Sequence, residues 1–231
     1  EDCIIDGDSL ASVIRFEEDL GGIIDTTTLI KGFTIRNGYA YGNSPNNYGG
    51  GIYIDSSSPS LENVTITDNV SSFGGGIYCY SSNLNFSLEN RCNIYSNTIN
   101  NNSGYGSDIF SNVTIAIDVI VDTFTVMTPT DYYAFPIDNF TFNILHSIDT
   151  LINEDVYVSV DGDDSNIGTS PDTPFRTIEY ALSRIANNNT IHLASGIYSP
   201  STNGEVFPIK WISYVNLSGS GEDETILDAD I

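Results

Sequence analysis

The chain has 231 residues, and 40% of them are hydrophobic, which is enough to build a folded core. It carries only 7 Lys and Arg against 31 Asp and Glu, so its formal net charge is -24 at pH 7. Such a surface repels phosphate backbones and anionic lipid headgroups, which excludes nucleic acid and membrane surfaces as partners and favours divalent cations and neutral sugars. No apolar run approaches the roughly 18 residues of a membrane-spanning helix, so we expect no membrane insertion.

Two short motifs recur along the first half of the chain. One alternates apolar and polar residues before an Asn, Asp or Gly, and the other places glycines before an apolar strand. In chain order they are GFTIRNG (Gly32–Gly38), GGGIY (Gly49–Tyr53), NVTITDN (Asn63–Asn69), GGGIY (Gly74–Tyr78), RCNIYSN (Arg91–Asn97) and YGSDIF (Tyr105–Phe110). Alternation is typical of half-buried strands, while Asn, Asp and Gly accept tight bends. The repeat therefore predicts stacked coils about 4.8 Å apart, each strand pairing with its equivalents above and below.

The register of these motifs predicts which side chains point inward. Nearly full burial is expected for Ile52, Ile66, Ile77 and Ile94, with inward ladders formed by Ile52, Ile77 and Ile109 and by Ile54 and Cys79. Because unpaired cysteines are among the most buried residues, Cys79 and Cys92 are expected to be free core thiols, and a disulfide is the alternative.

Tyr53, Tyr78 and Phe110 occupy the same position of consecutive coils and are expected to point outward as an aromatic row. Exposed aromatic faces can stack on sugar rings, so these three residues are the candidate glycan-binding site. The alternative is that the row packs on itself or on a neighbouring element.

The coils GFTIRNGYAYG, GGGIYI, SPSLENVTITDN and GGGIYC resemble those of right-handed parallel β-helix surface proteins. This group shares a pectate-lyase-like fold and includes polymorphic outer-membrane proteins and adhesins. The resemblance covers residues 1 to about 110, and its motifs are specific for fold and weak for activity. It implies an all-β fold, a right-handed parallel β-helix or solenoid, with one short capping helix.

Residues 111–154 alternate strongly but lack the GGGIY and Asn-turn pattern. We interpret this segment as strands outside the regular coils, with Pro129 and Pro136 marking the turn between them. The predicted organisation is thus coils at 1–110, a non-repetitive β segment at 111–154, and a cap helix with the first coils of a β-helix at 155–231.

The loop DGDDSN places oxygen ligands at alternate positions, as calcium loops do, because a hard cation prefers six to eight oxygens on a flexible turn. Asp161, Asp163 and Asp164 are therefore the candidate metal ligands, and calcium is the one candidate cofactor. An EF-hand would require Gly where Asn166 stands and Glu where Asp172 stands, so that family is not supported. The alternative is a solvated turn whose aspartates cap backbone amides.

Residues 157–200 resemble the amino-terminal cap and first coil of the same β-helix class. Thr173 is a candidate helix N-cap and Pro174 fits the first helical position. The predicted helix has an apolar face made of Phe175, Ile178, Leu182 and Ile185. We expect it to cover an open solenoid end and to be followed by strands at Thr190–Leu193, Tyr214–Leu217 and Thr225–Leu227.

The end of the chain repeats its beginning, because GEDETILDADI at Gly221–Ile231 resembles EDCIIDGDS at Glu1–Ser9, and equivalent residues are 222 positions apart. Three explanations are open: tandem repeats of this length, subunits joined end to end, or a permuted β-helix whose last coil stacks on its own first coil. We favour contact between successive units, with Thr225–Asp228 beside or one coil away from Cys3–Asp6. A contact of this kind propagates into a fibre or stalk.

No catalytic residues are predicted. β-Helix lyases and hydrolases need clustered cations or aspartates with companions, whereas the basic residues here are scattered and neither His146 nor His192 lies in a GHG-like setting. We therefore expect a noncatalytic structural or adhesive β-helix, extracellular or at the cell surface, whose partners are copies of itself and surface glycans. A glycan-binding or polysaccharide-cleaving β-helix is the alternative.

Overall fold

The computed structural model describes residues 3–17, 22–100, 105–112 and 116–230. The chain forms two compact units, Glu1–Asp149 (unit 1) and Thr150–Ile231 (unit 2). In each unit parallel strands stack as the coils of a β-solenoid, and the described residues include a single α-helix. The predicted parallel β-helix with one short helix is confirmed.

Unit 1 is built from short strands that return to the same few sheets. In chain order they are β1 (Cys3–Asp6), β2 (Ile14–Glu17), β3 (Leu29–Lys31), β4 (Phe33–Arg36), β5 (Ile52–Asp55), β6 (Ser60–Glu62), β7 (Thr65–Thr67), β8 (Val70–Ser71), β9 (Ile77–Tyr80), β10 (Asn85–Phe86), β11 (Cys92–Tyr95), β12 (Thr98–Ile99), β13 (Ile109–Asn112), β14 (Ile117–Val126), β15 (Ala134–Phe135) and β16 (Phe140–Asp149). The largest sheet has the order β1-β4-β7-β11-β14-β16, and a second has the order β15-β13-β9-β5-β2. Smaller sheets, β10-β6-β3 and β12-β8, complete the coils.

The predicted register is confirmed. Ile52 pairs with Ile77, which pairs with Ile109, and Ile54 pairs with Cys79. In the largest sheet Ile35, Ile66 and Ile94 follow one another. All these side chains are fully buried, so apolar ladders along the solenoid axis form the core of unit 1.

The glycine motif has a steric cause. Gly49, Gly74 and Gly106 all have left-handed backbone with φ of 61°, 62° and 64°. A Cβ at Gly49 would lie 2.4 Å from the carbonyl oxygen of Ile52, and at Gly74 it would lie 2.2 Å from that of Ile77. Only glycine fits this turn, which explains why the motif recurs before β5, β9 and β13.

The prediction that residues 111–154 lie outside the coils is wrong for the described strands. β14 pairs with β11 and β16 in the largest sheet, and β15 pairs with β13 in the second sheet. Because the chain continues to alternate between the same two sheets, these strands extend the solenoid without the glycine motif.

Unit 2 contains β17 (Val156–Val158), α1 (Ile178–Arg184), β18 (Thr190–Leu193), β19 (Gly196–Tyr198), β20 (Asn216–Ser218) and β21 (Thr225–Leu227). Its parallel sheets have the orders β17-β18-β20 and β19-β21. The predicted apolar helix face, Phe175, Ile178, Leu182 and Ile185, is buried. In the described residues no helix is long and apolar enough to cross a membrane.

The predicted start of the helix is wrong. Its N-cap is Thr177, whose side chain accepts a hydrogen bond from the Tyr180 amide, and not Thr173. Phe175 instead forms a parallel bridge with Val158, so the preceding residues are held beside β17 and the helix begins after them.

Candidate functional site

Two edge strands are the candidate functional segments, β1 in unit 1 and β21 in unit 2. β1 is at the edge of its sheet and pairs with β4 alone among the described strands. Its inward residue Ile5 is only half-buried, whereas Ile35 and Ile66 in the same ladder are fully buried. Ile4 is 47% exposed. Within the described residues, apolar side chains of β1 are therefore accessible to solvent.

A tight turn follows β1. The Asp8 amide donates to Asp6 Oδ1 at 3.1 Å, and Asp8 has a φ of 49°. Asp6 Oδ2 accepts from Arg36 Nε at 2.9 Å and from Asn37 Nδ2 at 2.9 Å, both on the next coil. The hydrogen bond from the Asp8 amide, supported by Arg36, lowers the pKa of Asp6.

β20 and β21 are edge strands of unit 2. β21 pairs with β19 and β20 pairs with β18, and among the described strands each is at the edge of its sheet. Leu217 is 41% exposed although its neighbour Ile191 is fully buried, and Leu227 is 45% exposed although its neighbour Tyr198 is fully buried. These aliphatic side chains continue buried columns of the unit and are themselves accessible to solvent.

The turn after β21 has the same geometry as the turn after β1. The Asp230 amide donates to Asp228 Oδ1 at 3.0 Å, and Asp230 has a φ of 51°. The Asp230 carboxylate accepts from the Ser201 amide at 2.8 Å, on the preceding coil. The sequence echo between Cys3–Asp8 and residues 225–230 is thus also an echo of local structure.

The aspartate loop of unit 2 holds the residues just before the helix. Asp164 Oδ1 accepts from the Arg176 and Thr177 amides at 2.8 and 3.0 Å, and Asp164 Oδ2 accepts from Thr177 Oγ1 at 2.9 Å. Asp163 Oδ1 accepts from the Ser165 amide and hydroxyl, which lowers the pKa of Asp163, and Asp161 is exposed. Within the described ranges no group of three or more His, Cys, Asp or Glu is placed to hold a metal ion. Calcium binding by Asp161, Asp163 and Asp164 stays a prediction.

The predicted aromatic row is present, but its rings cover one another. Tyr53 and Tyr78 stack with ring centroids 5.6 Å apart, and Tyr78 stacks on Phe110 at 5.0 Å. The Arg15 guanidinium lies 3.9 Å from the centroid of Tyr53, and Tyr48 stacks on Tyr78 at 4.6 Å. Tyr53 and Tyr78 are consequently buried, at 3% and 6% exposure. The ring faces that a sugar would need are occupied, and glycan binding here remains untested.

Sequence reasoning did not find a groove on the sheet of unit 2. It has a volume of about 360 Å³ and is lined by Tyr157, His192 and Ser218 with Pro171 and Pro174. The Tyr157 and His192 rings stack with centroids 5.2 Å apart, and His192 Nε2 lies 3.1 Å from the Oδ2 atom of Asp155. The sequence feature that could have indicated this groove is the alternation in Val156–Val158 and Thr190–Leu193. It places Tyr157 and His192 on the outward face of adjacent strands.

Sequence reasoning also missed a buried polar ladder in unit 1. Asn69 Nδ2 donates to Asn97 Oδ1 at 3.0 Å, and Asn97 Nδ2 donates to Asp108 Oδ1 at 3.0 Å. Asp108 is fully buried, and its Oδ2 atom has no hydrogen-bond partner in the described part of the chain. Burial raises the pKa of Asp108 to about 7, although Thr125 and Asn97 donate to it.

Six basic side chains bind other groups of the protein. Ion pairs join Arg15 to Glu17, Lys31 to Glu62 and Arg36 to Asp6. Three other arginines donate hydrogen bonds to backbone carbonyls. Arg91 donates to those of Val121 and Asn143, Arg176 to that of Gly162 and Arg184 to that of Thr150.

The cysteines behave as predicted. Cys79 and Cys92 are buried and unbonded, and Cys3 is exposed and unbonded. Burial raises the pKa of the Cys79 thiol to about 12 and that of Cys92 to about 11.

Since the thiolate is the reactive form, we expect an aromatic disulfide reagent to label Cys3 rapidly in the native monomer, and Cys79 and Cys92 only after unfolding. Rapid labelling of all three thiols would contradict this burial.

A family of unknown function, DUF1565, matches residues 160–225, which lie within unit 2. No significant similarity to a curated protein or to a solved structure is found. The matched range contains the helix and strands β18, β19 and β20, and the match is consistent with a parallel β-helix.

Proposed function

We propose that this protein is a noncatalytic structural unit of an extracellular or cell-surface β-solenoid, in which copies join end to end as a fibre or stalk. The observation that carries the proposal is the likeness of β1 and β21, because both strands and the aspartate turns after them match in sequence and in hydrogen bonding. A segment that recurs along a solenoid is typical of stacked repeats, each of which contacts its neighbours.

Two further observations support a structural role. Six of the basic side chains bind groups of the protein itself, so they are not arranged to hold an acidic substrate. The composition, rich in Asn, Ser, Thr, Gly and Tyr and poor in Lys, is typical of exported repeat proteins. An adhesive role is compatible with the same architecture, and the groove at Tyr157 and His192 is where a neutral glycan would bind.

The proposal predicts concentration-dependent assembly of the purified protein. Sedimentation velocity should show species larger than the monomer, and electron microscopy should show linear particles. Leu217→Asp should abolish assembly, because Leu217 continues the buried column of Ile191 and is 41% exposed, so a contact through this face would bury the new carboxylate. Ile167→Asp is the matched control, since Ile167 is 65% exposed on a loop of the same unit. Dispersed monomers at all concentrations, or equal loss of assembly in both variants, would contradict end-to-end joining.

A further inference from the structure

We propose that the groove on the parallel sheet of unit 2 is a binding site for a neutral, linear oligosaccharide. The groove has a volume of about 360 Å³ and lies across β17, β18 and β20. The inference rests on the adhesive form of the proposed function and makes no use of end-to-end joining, so the two can fail separately.

The groove arises from two outward columns of unequal size. Tyr157 pairs with His192, and His192 pairs with Ser218, so these residues form the first column. Side chains two residues apart point to the same face of a sheet, and the second column consists of Ser159, Ala194 and Ser220. Rings in one column therefore stand beside small side chains in the next. Residues of both columns line the groove together with Pro171 and Pro174.

The His192 ring is held in place by its neighbours. His192 lies on β18, which is paired with β17 on one side and with β20 on the other. Its ring stacks on that of Tyr157 with centroids 5.2 Å apart, and its Nε2 atom lies 3.1 Å from Asp155 Oδ2. Asp155 Oδ1 also accepts from the Thr190 amide at 2.8 Å, so the carboxylate is itself fixed. A pre-oriented ring reduces the ordering cost of binding a ligand.

Side chains, rather than the backbone, are available to a ligand in this groove. The backbone groups of β18 pair with β17 and β20, so a peptide cannot add to β18 as a further strand. The hydrogen bond with His192 lowers the pKa of Asp155, and an ionised carboxylate only accepts, so Nε2 donates to it. Within the described residues, His192 Nδ1 and the Tyr157 hydroxyl have no hydrogen-bond partner. Both suit the hydroxyl groups of a sugar.

The charge of the groove favours a neutral sugar over an acidic one. The described residues that line it include no Lys, Arg, Asp or Glu, and the chain has a net charge of -24. A uronate carboxylate would lose water in the groove without meeting a cation. A neutral sugar has apolar C–H faces and polar edges, and the groove offers it both Pro171 and Pro174 and the serine hydroxyls.

The dimensions of the groove favour a chain of sugars over a single one. The three strands that it crosses are spaced about 4.8 Å apart, so the groove extends about 10 Å along the solenoid axis. A linear oligosaccharide lying parallel to this axis would contact the same two columns in each successive coil.

Binding is measured by titrating the ¹⁵N-labelled full chain and following its amide resonances. The neutral probes are cellohexaose, xylohexaose and β-1,4-mannohexaose, the acidic probe is hexagalacturonate, and the peptide probe is decaproline. At least one neutral probe should bind at least about tenfold more tightly than the acidic probe and should shift the amides of residues 157–159 and 192–194. Binding by none of the three neutral probes, equal affinity for hexagalacturonate, or binding by decaproline alone would overturn the inference.

Two variants locate the site. Ala194→Trp fills the groove from an exposed position, and Val206→Trp is its matched control, since Val206 is 41% exposed and does not line the groove. Ala194→Trp should weaken binding at least about tenfold with an unchanged melting temperature, and the control should keep the wild-type affinity. Full affinity in folded Ala194→Trp, or equal loss in both variants, would overturn the assignment to this groove.

His192→Phe gives a second measurement that does not depend on how a new Trp side chain fits. Phe keeps a ring stacked on Tyr157 and removes both ring nitrogens, so the affinity should fall about tenfold through the loss of a hydrogen bond. An unchanged affinity in folded His192→Phe would overturn the role of this ring. Monomers that bind a neutral probe would leave this inference standing and overturn end-to-end joining, whereas fibres that bind none would do the reverse.

Discussion

Ile66→Asp is expected to prevent unit 1 from folding stably. Ile66 is fully buried between Ile35 and Ile94, which are also fully buried, so a carboxylate there would have no water and no cation beside it. The expected loss in the free energy of unfolding exceeds about 4 kcal/mol, a large share of the stability of a typical domain. Urea unfolding followed by circular dichroism measures this difference.

Thr65→Asp is the matched control for this variant. Thr65 precedes Ile66 on β7 and points to the opposite face, where it is half-buried and its hydroxyl accepts from Asn93 Nδ2 at 3.1 Å. An Asp at this position keeps an acceptor for Asn93, so we expect a change within about 1 kcal/mol. Similar midpoints for Ile66→Asp and Thr65→Asp would contradict the inward ladder.

Asp108→Asn is expected to stabilise the protein at neutral pH. The folded pKa of Asp108 is raised from 3.8 to about 7, so the folded state holds a proton that the unfolded state has released. Stability due to this group therefore falls as pH rises from about 4 to about 7 and is constant above that, with a total cost of at most about 4 kcal/mol. Asn removes the titration and can still accept from Asn97 Nδ2, continuing the ladder of Asn69 and Asn97.

Thermal unfolding from pH 4 to pH 8 measures this effect. The wild-type melting temperature should fall relative to that of Asp108→Asn as pH rises across this range, and the two should converge at the acidic end. Asp118→Asn is the control, because Asp118 is exposed on the same unit and its interaction with the Thr141 hydroxyl survives the change. Parallel pH profiles for wild type and Asp108→Asn would show that Asp108 is ionised or solvated in the fold.

The buried polar ladder helps to fix the register in which successive coils stack. Asn69, Asn97 and Asp108 are buried beside the aliphatic ladders, and the two asparagine amides also donate to the backbone carbonyls of Ile35 and Ile66. An apolar ladder tolerates a slip between coils better than a hydrogen-bonded one does, because each amide must meet a specific acceptor.

Sequence patterns were most informative where a side chain repeats in every coil. Ile52, Ile77 and Ile109 could be placed in one ladder because strand periodicity and the recurring glycine turn act locally. The intervening strands β14 and β16 were misplaced because they lack that turn, although they pair with the same sheet through alternation alone. The helix start was misplaced because the bridge from Phe175 to Val158 is a contact between distant residues.

The candidate interface shows the same division. By itself, the sequence determined the parallel stacking, the inward isoleucines and the outward aromatic row, since these depend on residue periodicity. It also showed that Thr225–Leu227 and Asp228 resemble Cys3–Asp6, because the two segments can be compared directly. Only the tertiary structure decided that Tyr53 and Tyr78 cover each other, that Asp164 bonds the two residues before the helix and that Asp108 is buried. It also decided that Asp6 is bonded from the following coil and Asp230 from the preceding one. Those outcomes depend on which residues other coils bring alongside, and solvent exposure and partner charge are set by that packing rather than by local pattern.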